Sequence, residues 1–131
     1  MKGDRTFSKE ERIVSKKQID RLFAGHGSHS KAAFPLRAVY VVEECGSGRA
    51  PVQVLVSVPK RKFRHAVDRN RVKRQIREAY RLNKELLTAA VPAGKALSLA
   101  FVWLADRHLP SAAVAERVRT LLTHIAQGMN T

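Results

Sequence analysis

The chain has 131 residues, 44% of them hydrophobic, and its 25 Lys and Arg against 11 Asp and Glu give a formal net charge of +14. This length and apolar content predict a single domain over residues 1–131, with residues 1–12 loosely ordered. The charge excess favours a polyanionic partner. The sequence has neither a signal peptide nor an apolar run of about 18 residues, which argues against a membrane role and predicts a cytoplasmic protein.

The few sulfur and imidazole groups form no recognisable metal or redox motif. The single cysteine, Cys45, lies in a Gly-Ser-Gly loop and has no partner for a disulfide, as expected in a reducing cytosol. No CxxC or HxxxH pair is present to begin a zinc site, and none of the five histidines has a carboxylate partner at motif spacing. We therefore assign no catalytic residue, no metal ligand and no cofactor bound by the protein alone.

The first predicted element is an amphipathic helix over about residues 15–24, with an apolar face formed by Ile19, Leu22 and Phe23 and a basic face opposite. Glycines just after it end the helix. The β-branched and aromatic run over residues 35–42 predicts a strand. Alternating valines over residues 52–58 predict a second strand, which we expect to pair with the first as a long hairpin.

The second half of the chain predicts two helices around a strand. A 3.6-residue apolar period predicts a long helix from Val67 to about Leu87, and the apolar run 97–104 predicts a central strand buried on both faces. Ser111 is the predicted N-cap of a last helix, whose core face carries Val114, Val118, Leu121, Leu122 and Ile125.

The resulting order α-β-β-α-β-α indicates an α+β fold with a small, mostly antiparallel sheet. We expect the long helix and the last helix to pack on this sheet, and the first helix to lie across an edge or on the opposite face.

Basic residues concentrate in residues 60–84, which hold 11 of the 25 Lys and Arg but only two acids, Asp68 and Glu78. In the predicted helix, arginines recur at three- and four-residue spacing on one side, while Val72, Ile76 and Tyr80 face the core. Arginine suits such a stripe because its planar guanidinium binds two phosphate oxygens at once and stacks on unpaired bases. Basic helix faces are common on protein surfaces, but the scarcity of acids favours nucleic-acid binding.

The segment Arg69-Asn70-Arg71-Val72-Lys73-Arg74 resembles the RNR signature helix of the bacterial ribonuclease P protein family. The resemblance extends over most of the chain, through Asp20-Arg21-Leu22-Phe23, Pro35-Leu36-Arg37-Ala38-Val39 and Val56-Ser57-Val58-Pro59-Lys60. It implies a ribonuclease P protein-like fold, with a left-handed crossover through the signature helix. It also implies a subunit that supports a catalytic RNA in the Mg²⁺-dependent removal of the 5′ leader from precursor tRNA. The implied partners are ribonuclease P RNA and precursor tRNA, with a monomeric protein and one copy per RNA.

The same resemblance implies two sets of site residues. The signature helix and the loop before it would contact the catalytic RNA through Lys60, Arg61, Lys62, Arg69, Asn70, Arg71, Lys73, Arg74, Arg77 and Arg81. A cleft between the first helix and the sheet would hold the single-stranded leader through Arg12, Lys16, Lys17, Ile19, Phe23, Arg37 and Tyr40. The family often has an aromatic residue where this chain has Ile19, so apolar contact replaces stacking there. Taken alone, Phe23, Tyr40 and Trp103 are more typical of core residues.

Three other functions stay open on the residues alone. A ribosomal or other structural RNA-binding protein fits the composition and fold class equally well. A protein-only nuclease fits less well, because metal-dependent nucleases need clustered carboxylates and the acids here are dispersed. A DNA-binding protein is disfavoured since no helix-turn-helix pair or heptad dimer accompanies the basic helix.

Overall fold

The computed structural model describes residues 11–13, 15–24, 27–44 and 51–129. Four helices and four strands lie within these ranges, in the order α1 (Lys16–Phe23), β1 (His29–Ala33), β2 (Leu36–Glu44), β3 (Val52–Ser57), α2 (Ala66–Asn83), α3 (Glu85–Thr88), β4 (Lys95–Trp103) and α4 (Ser111–Met129). The predictions for residues 1–10, for the glycine loop that contains Cys45 and for the helix stop at Gly25 concern residues outside the described ranges. The structure confirms the α+β fold class.

The four strands form one mixed sheet in the order β1-β2-β4-β3. The β2–β4 and β1–β2 pairs are antiparallel, and β3 runs parallel to β4. The predicted hairpin between β2 and β3 is therefore wrong, because β4 lies between them. The side-chain alternation shows which face of a strand is buried but does not identify its neighbour. The predicted burial of β4 on both faces is confirmed, since its residues alternate between the two faces of the sheet and almost all of them are buried.

Strand β1 has no counterpart among the predicted elements. Its sequence, His-Ser-Lys-Ala-Ala, contains no β-branched hydrophobic residue, and most of it is exposed. It forms as an edge strand because the turn at Phe34-Pro35 returns the chain antiparallel to β2, with Ala33 opposite Leu36. Pairing with the strongly predicted strand β2 outweighs the weak β propensity of these residues.

The main core lies between one face of the sheet and helices α2 and α4. It contains Val72, Ile76, Ala79 and Tyr80 of α2 and all five apolar residues predicted for α4. The four alternating valines of β3 and its exit, Val52, Val54, Val56 and Val58, also belong to it. The predictions for both helix faces, for this strand face and for the buried Trp103 are thus confirmed.

The first helix packs on the opposite face of the sheet, one of the two placements predicted for it. A smaller apolar cluster forms there from Ile13, Leu22, Val39, Val41 and Ala100. Ser15 caps the helix, because its side chain accepts a hydrogen bond from the backbone N–H of Gln18. Since β3 and β4 are parallel neighbours joined through α2 and α3, the chain makes a crossover here; its left-handedness stays a prediction.

Candidate nucleic-acid interface

Helix α2 divides its residues between the core and solvent. Val72, Ile76, Ala79 and Tyr80 are buried against the sheet and α4, so a helical period of 3.6 turns the intervening positions outward. A row on the solvent side follows at three- and four-residue spacing, and it consists of Asn70, Arg74, Arg77 and Arg81. Arg71 and Lys73 flank this row. We call these six residues the α2 basic face.

Several members of the α2 basic face keep their polar groups available. The side chains of Asn70, Arg71, Lys73 and Arg74 make no hydrogen bond or ion pair with any residue in the described part of the chain. Arg71 and Arg74 also line a cavity of about 360 Å³ beside Ser111, the first residue of α4. Uncompensated guanidinium groups at helical spacing repel one another, so this surface favours an anionic ligand.

Arg81 differs from its neighbours because it is paired within the helix. Its Nε and Nη2 donate to Glu78 at 3.1 and 2.6 Å. This hydrogen bonding lowers the pKa of the Glu78 carboxyl and raises the pKa of the Arg81 guanidinium. The charge of Arg81 is therefore already matched by a carboxylate, unlike the charges of Arg71 and Arg74.

Arg69, the first arginine of the signature, is directed toward the chain before the helix. Its Nη1 donates to the carbonyl oxygens of Phe63 and Arg64 at 2.8 and 2.9 Å. A turn closed by the Lys62 N–H on the carbonyl of Pro59 begins the same loop. Lys60 and Arg61, which precede Lys62, are exposed. The structure therefore gives the loop a definite path that the sequence left open.

The N-terminal segment brings the two predicted sets of residues together. Arg12 forms a parallel bridge with Val54 at the sheet edge. Partial burial of Arg77 on α2 lowers the pKa of its guanidinium, and the charge of Arg12 adds to this effect. Next to it, the Lys84 ammonium binds the Glu11 carboxylate at 2.8 Å with both side chains largely buried. Arg12, predicted for the leader cleft, consequently lies beside the α2 basic face.

Polar contacts fix α1 against the sheet. The side-chain amide of Gln18 donates to Gln53 and to Ser98, each at 2.8 Å. Near the other end of the helix, Arg21 donates to Glu43 at 2.9 Å. Glu43 lies next to Glu44, the last residue of β2. Helix α1 therefore covers the end of the sheet where β2 finishes and leaves the end where β2 begins uncovered.

The uncovered end of that sheet face forms the floor of a cleft beside α1. Arg37 is exposed there, and its Nε donates to Ser30 of β1 at 3.0 Å. The strand register places Val102 of β4 opposite Arg37 and Ser57 of β3 beside Val102. The cleft therefore has a cationic group and neutral hydroxyls on its floor, a surface suited to a nucleic-acid strand.

Helix α1 presents its predicted residues to different sides. With 100° between successive residues, Lys16, Ile19 and Phe23 lie on the flank away from Arg21 and therefore toward the cleft. Phe23 is 50% exposed, whereas Ile19 packs partly against the small apolar cluster. Lys17 shares the flank of Arg21 and is exposed away from the cleft.

Comparison with known proteins identifies the family that carries these features. The Ribonuclease P family model matches residues 7–126. The chain belongs to the ribonuclease P protein family. The ribonuclease P protein component of Porphyromonas gingivalis is 42% identical over 113 residues, which cover 84% of this chain and 78% of that protein. The protein of that name from Chlorobaculum tepidum is 40% identical over 123 residues, covering 87% and 76%.

Solved structures of ribonuclease P proteins share the fold. The protein from Staphylococcus aureus superposes with a TM-score of 0.67 at 18% identity, covering 88% of this chain and 94% of that one. The protein from Thermotoga maritima gives a TM-score of 0.64 at 19% identity, covering 87% and 96%. At this identity the likeness concerns the fold.

One predicted leader residue of this ribonuclease P family member lies on the other face of the sheet from the cleft. Tyr40 is buried on the α2 and α4 side of the sheet, where burial raises its pKa and its ring lies 5.3 Å from that of His29. It does not share the cleft with Arg37, because the two are three residues apart on one strand and face opposite ways. This alternation is readable in the sequence and would have separated them.

The sequence reasoning also missed residues that shape the surface of this ribonuclease P family member. Ser30, Ser57 and Val102 border the cleft through strand register, and Gln18 holds α1 through contacts with distant strands. No local motif predicts these positions. His108, which has no carboxylate partner at motif spacing in the sequence, lies 3.0 Å from Asp68, 40 positions away.

Among the described residues no group of three His, Cys, Asp or Glu is placed to hold a metal ion, and no helix there is long and apolar enough to cross a membrane.

Proposed function

We propose that this chain is the protein subunit of a ribonuclease P. It binds the catalytic RNA through the α2 basic face and the loop before it, and the 5′ leader of precursor tRNA through the cleft beside α1. The observation that carries the proposal is the α2 basic face, on which the cationic side chains of Arg71, Lys73 and Arg74 have no hydrogen-bond or ion-pair partner among the described residues, in a chain of the ribonuclease P protein family.

Binding of structured RNA follows from the chemistry of that face. Guanidinium groups bind phosphate oxygens through paired N–H donors, and each neutralised phosphate releases counterions. Asn70 lies between two arginines with an exposed amide, which both donates and accepts hydrogen bonds. It is therefore suited to a base edge or a ribose hydroxyl.

The cleft beside α1 suits a single strand for a different reason. Phe23 offers an exposed aromatic face for stacking, while Arg37 and Lys16 supply positive charge along the backbone path. Ile19 contributes apolar contact. We place the leader here, with Tyr40 and Lys17 outside the contact surface.

In this proposal the RNA carries the chemistry and holds the Mg²⁺ ions, which activate water and stabilise the leaving oxygen when bound. The protein binds and orients the two RNAs as a monomer, one copy for each catalytic RNA, in the cytoplasm. Family membership favours this role over that of a ribosomal or other structural RNA-binding protein.

Cleavage of precursor tRNA tests the proposal. The reaction is run at low Mg²⁺ with the ribonuclease P RNA of the same organism, with and without the protein, and with the protein alone. We expect cleavage only with both components. Cleavage by the protein alone would support a nuclease, and binding of RNA without any rescue of cleavage would support a structural RNA-binding protein.

A Phe23→Ala variant tests the place of the leader. Because this side chain is half exposed, we expect weaker binding of precursor tRNA that carries a leader and unchanged binding of mature tRNA. A matched control is Phe34→Ala, which removes another exposed phenylalanine, in the turn between β1 and β2. Equal losses for both variants would contradict the placement.

A further inference from the structure

The loop between β3 and α2 carries one aromatic side chain that is buried. We call residues Pro59–His65 the signature loop. The Phe63 ring within it is stacked on the ring of His108, with centroids 4.6 Å apart and planes inclined by 20°. His108 lies in the connection from β4 to α4, so a distant part of the chain holds the loop.

The ring of His108 is itself held by α2. Its Nε2 lies 3.0 Å from Oδ1 of Asp68, in the first turn of that helix, and its Nδ1 is buried without a partner among the described residues. In this geometry Nε2 carries the proton that is donated to the carboxylate. Asp68 thus fixes the plane on which Phe63 stacks.

Arg69 attaches the other side of the same loop through its hydrogen bonds to the carbonyls of Phe63 and Arg64. Adjacent residues of α2 therefore hold the signature loop by two routes, Arg69 directly and Asp68 through His108. Lys60, Arg61 and Lys62, whose cations project from this loop, make no hydrogen bond or ion pair through their side chains within the described ranges.

We propose that His108 is a positioning residue for RNA binding, because it holds the signature loop so that Lys60, Arg61 and Lys62 keep a fixed place relative to the α2 basic face. This inference rests on the proposed function, since the fixed cations matter only if this surface binds RNA. The physical reason is preorganisation. A loop that is ordered only during binding loses affinity for each side chain that must be immobilised.

Affinity for the ribonuclease P RNA, measured over a range of salt concentrations, is the first test. For His108→Ala we expect binding roughly three- to tenfold weaker, the equivalent of ordering one or two side chains. We also expect a smaller salt slope, since loose cations make fewer phosphate contacts. His108→Phe, which keeps a ring to stack on Phe63, is expected to recover most of the loss. His124→Ala removes an exposed histidine of α4 and serves as the matched control.

A double-mutant cycle separates positioning from a general loss of structure. If His108 acts through the loop, the cost of Arg61→Ala shrinks in the His108→Ala background, whereas the cost of Arg74→Ala on α2 is unchanged. Additive costs for both pairs, or wild-type affinity and salt slope for His108→Ala, would overturn the proposal.

Backbone amide exchange gives a readout that does not depend on RNA. We expect faster exchange in His108→Ala at the N–H of Lys62, which closes the turn on Pro59, with unchanged exchange in β4. Unchanged exchange at Lys62 would also overturn the proposal, and His108→Leu provides a second variant if the alanine variant does not fold. A wild-type protein that fails to bind the RNA would refute the proposed function, a result distinct from all of these.

Discussion

Gln18 in α1 and Ser98 in the central strand, 80 positions apart in sequence, are joined by a hydrogen bond of 2.8 Å. The same amide nitrogen donates to Gln53 of the edge strand β3. One side chain thus ties the helix to two strands at the partly buried interface that sets the position of the cleft wall. Apolar contact alone would let a helix of eight residues shift on the sheet.

We predict that Gln18→Leu loosens α1 while keeping its apolar bulk. Loss of two hydrogen bonds at a partly buried site costs about 1–3 kcal/mol, measurable as a lower free energy of unfolding in denaturant. Affinity for the leader should decrease, and affinity for the catalytic RNA should be retained. Gln127→Leu, an exposed glutamine of α4, is the control; equal effects of the two variants would contradict the role of Gln18.

The α2 basic face yields a prediction about salt. Arg71→Ala combined with Arg74→Ala should weaken binding to the catalytic RNA and reduce the slope of log affinity against log salt by roughly 1.4–1.8, if each arginine contacts one phosphate. The matched control is Arg119→Ala, an exposed arginine on α4. An unchanged slope in the double variant would show that this face does not meet phosphate.

The parts of the fold that follow from local periodicity could be predicted. Every apolar residue assigned to the core face of α4 is buried, because a 3.6-residue repeat specifies a helix face independently of what covers it. The neighbour of a strand in the sheet cannot be predicted from periodicity. The position of β4 between β2 and β3 depends on which strands meet after collapse, and the valines of β3 are compatible with either neighbour.

The candidate site likewise contains residues that follow from a local sequence pattern and residues that depend on the tertiary fold. Arg71 and Arg74 were predictable, because a charged stripe opposite an apolar stripe is a local pattern. The contact of His108 with Asp68 spans 40 positions, and the influence of the Arg12 charge on Arg77 depends on where the N-terminal segment crosses the sheet edge. Such pairs arise from the tertiary fold and have no local signature in sequence.

The buried ion pair between Glu11 and Lys84 yields a third prediction. The side chain of Glu11 is 12% exposed and that of Lys84 is 9% exposed. Removal of Lys84 therefore leaves the Glu11 carboxylate in a site that water hardly reaches. We expect Lys84→Ala to lower the free energy of unfolding by about 3–5 kcal/mol. The double variant Glu11→Leu with Lys84→Met should recover most of this loss. Lys95→Ala, which breaks the exposed pair with Glu44, should cost less than about 1 kcal/mol. Similar losses for Lys84→Ala and Lys95→Ala would contradict this account.

Both tyrosines of the chain are buried in the main core, and burial raises the pKa of each, most strongly for Tyr80, where Glu11 adds to the effect. The folded protein therefore favours the neutral phenol. The contribution of the buried tyrosines to the free energy of unfolding is fully present below about pH 10, which is the pKa of tyrosine in an unfolded chain. It is lost as the pH rises from there toward the pKa of the folded state. We predict that the near-ultraviolet absorbance of tyrosinate stays low at about pH 10 while the protein is folded and appears on unfolding.

Substitution of each tyrosine assigns this effect. Above about pH 10, the free energy of unfolding of the wild type should fall relative to that of Tyr80→Phe by up to roughly 1.4 kcal/mol per pH unit. The variant avoids this loss because it has no phenol at position 80 to ionise in the unfolded state. For Tyr40→Phe, the difference in free energy of unfolding from the wild type should be smaller, because the pKa of Tyr40 is raised less. Tyrosinate absorbance at the ordinary pKa with the fold intact would show that water reaches the Tyr80 hydroxyl and that the packing of α2 against the sheet is looser than the contacts of Ile76 and Phe101 indicate.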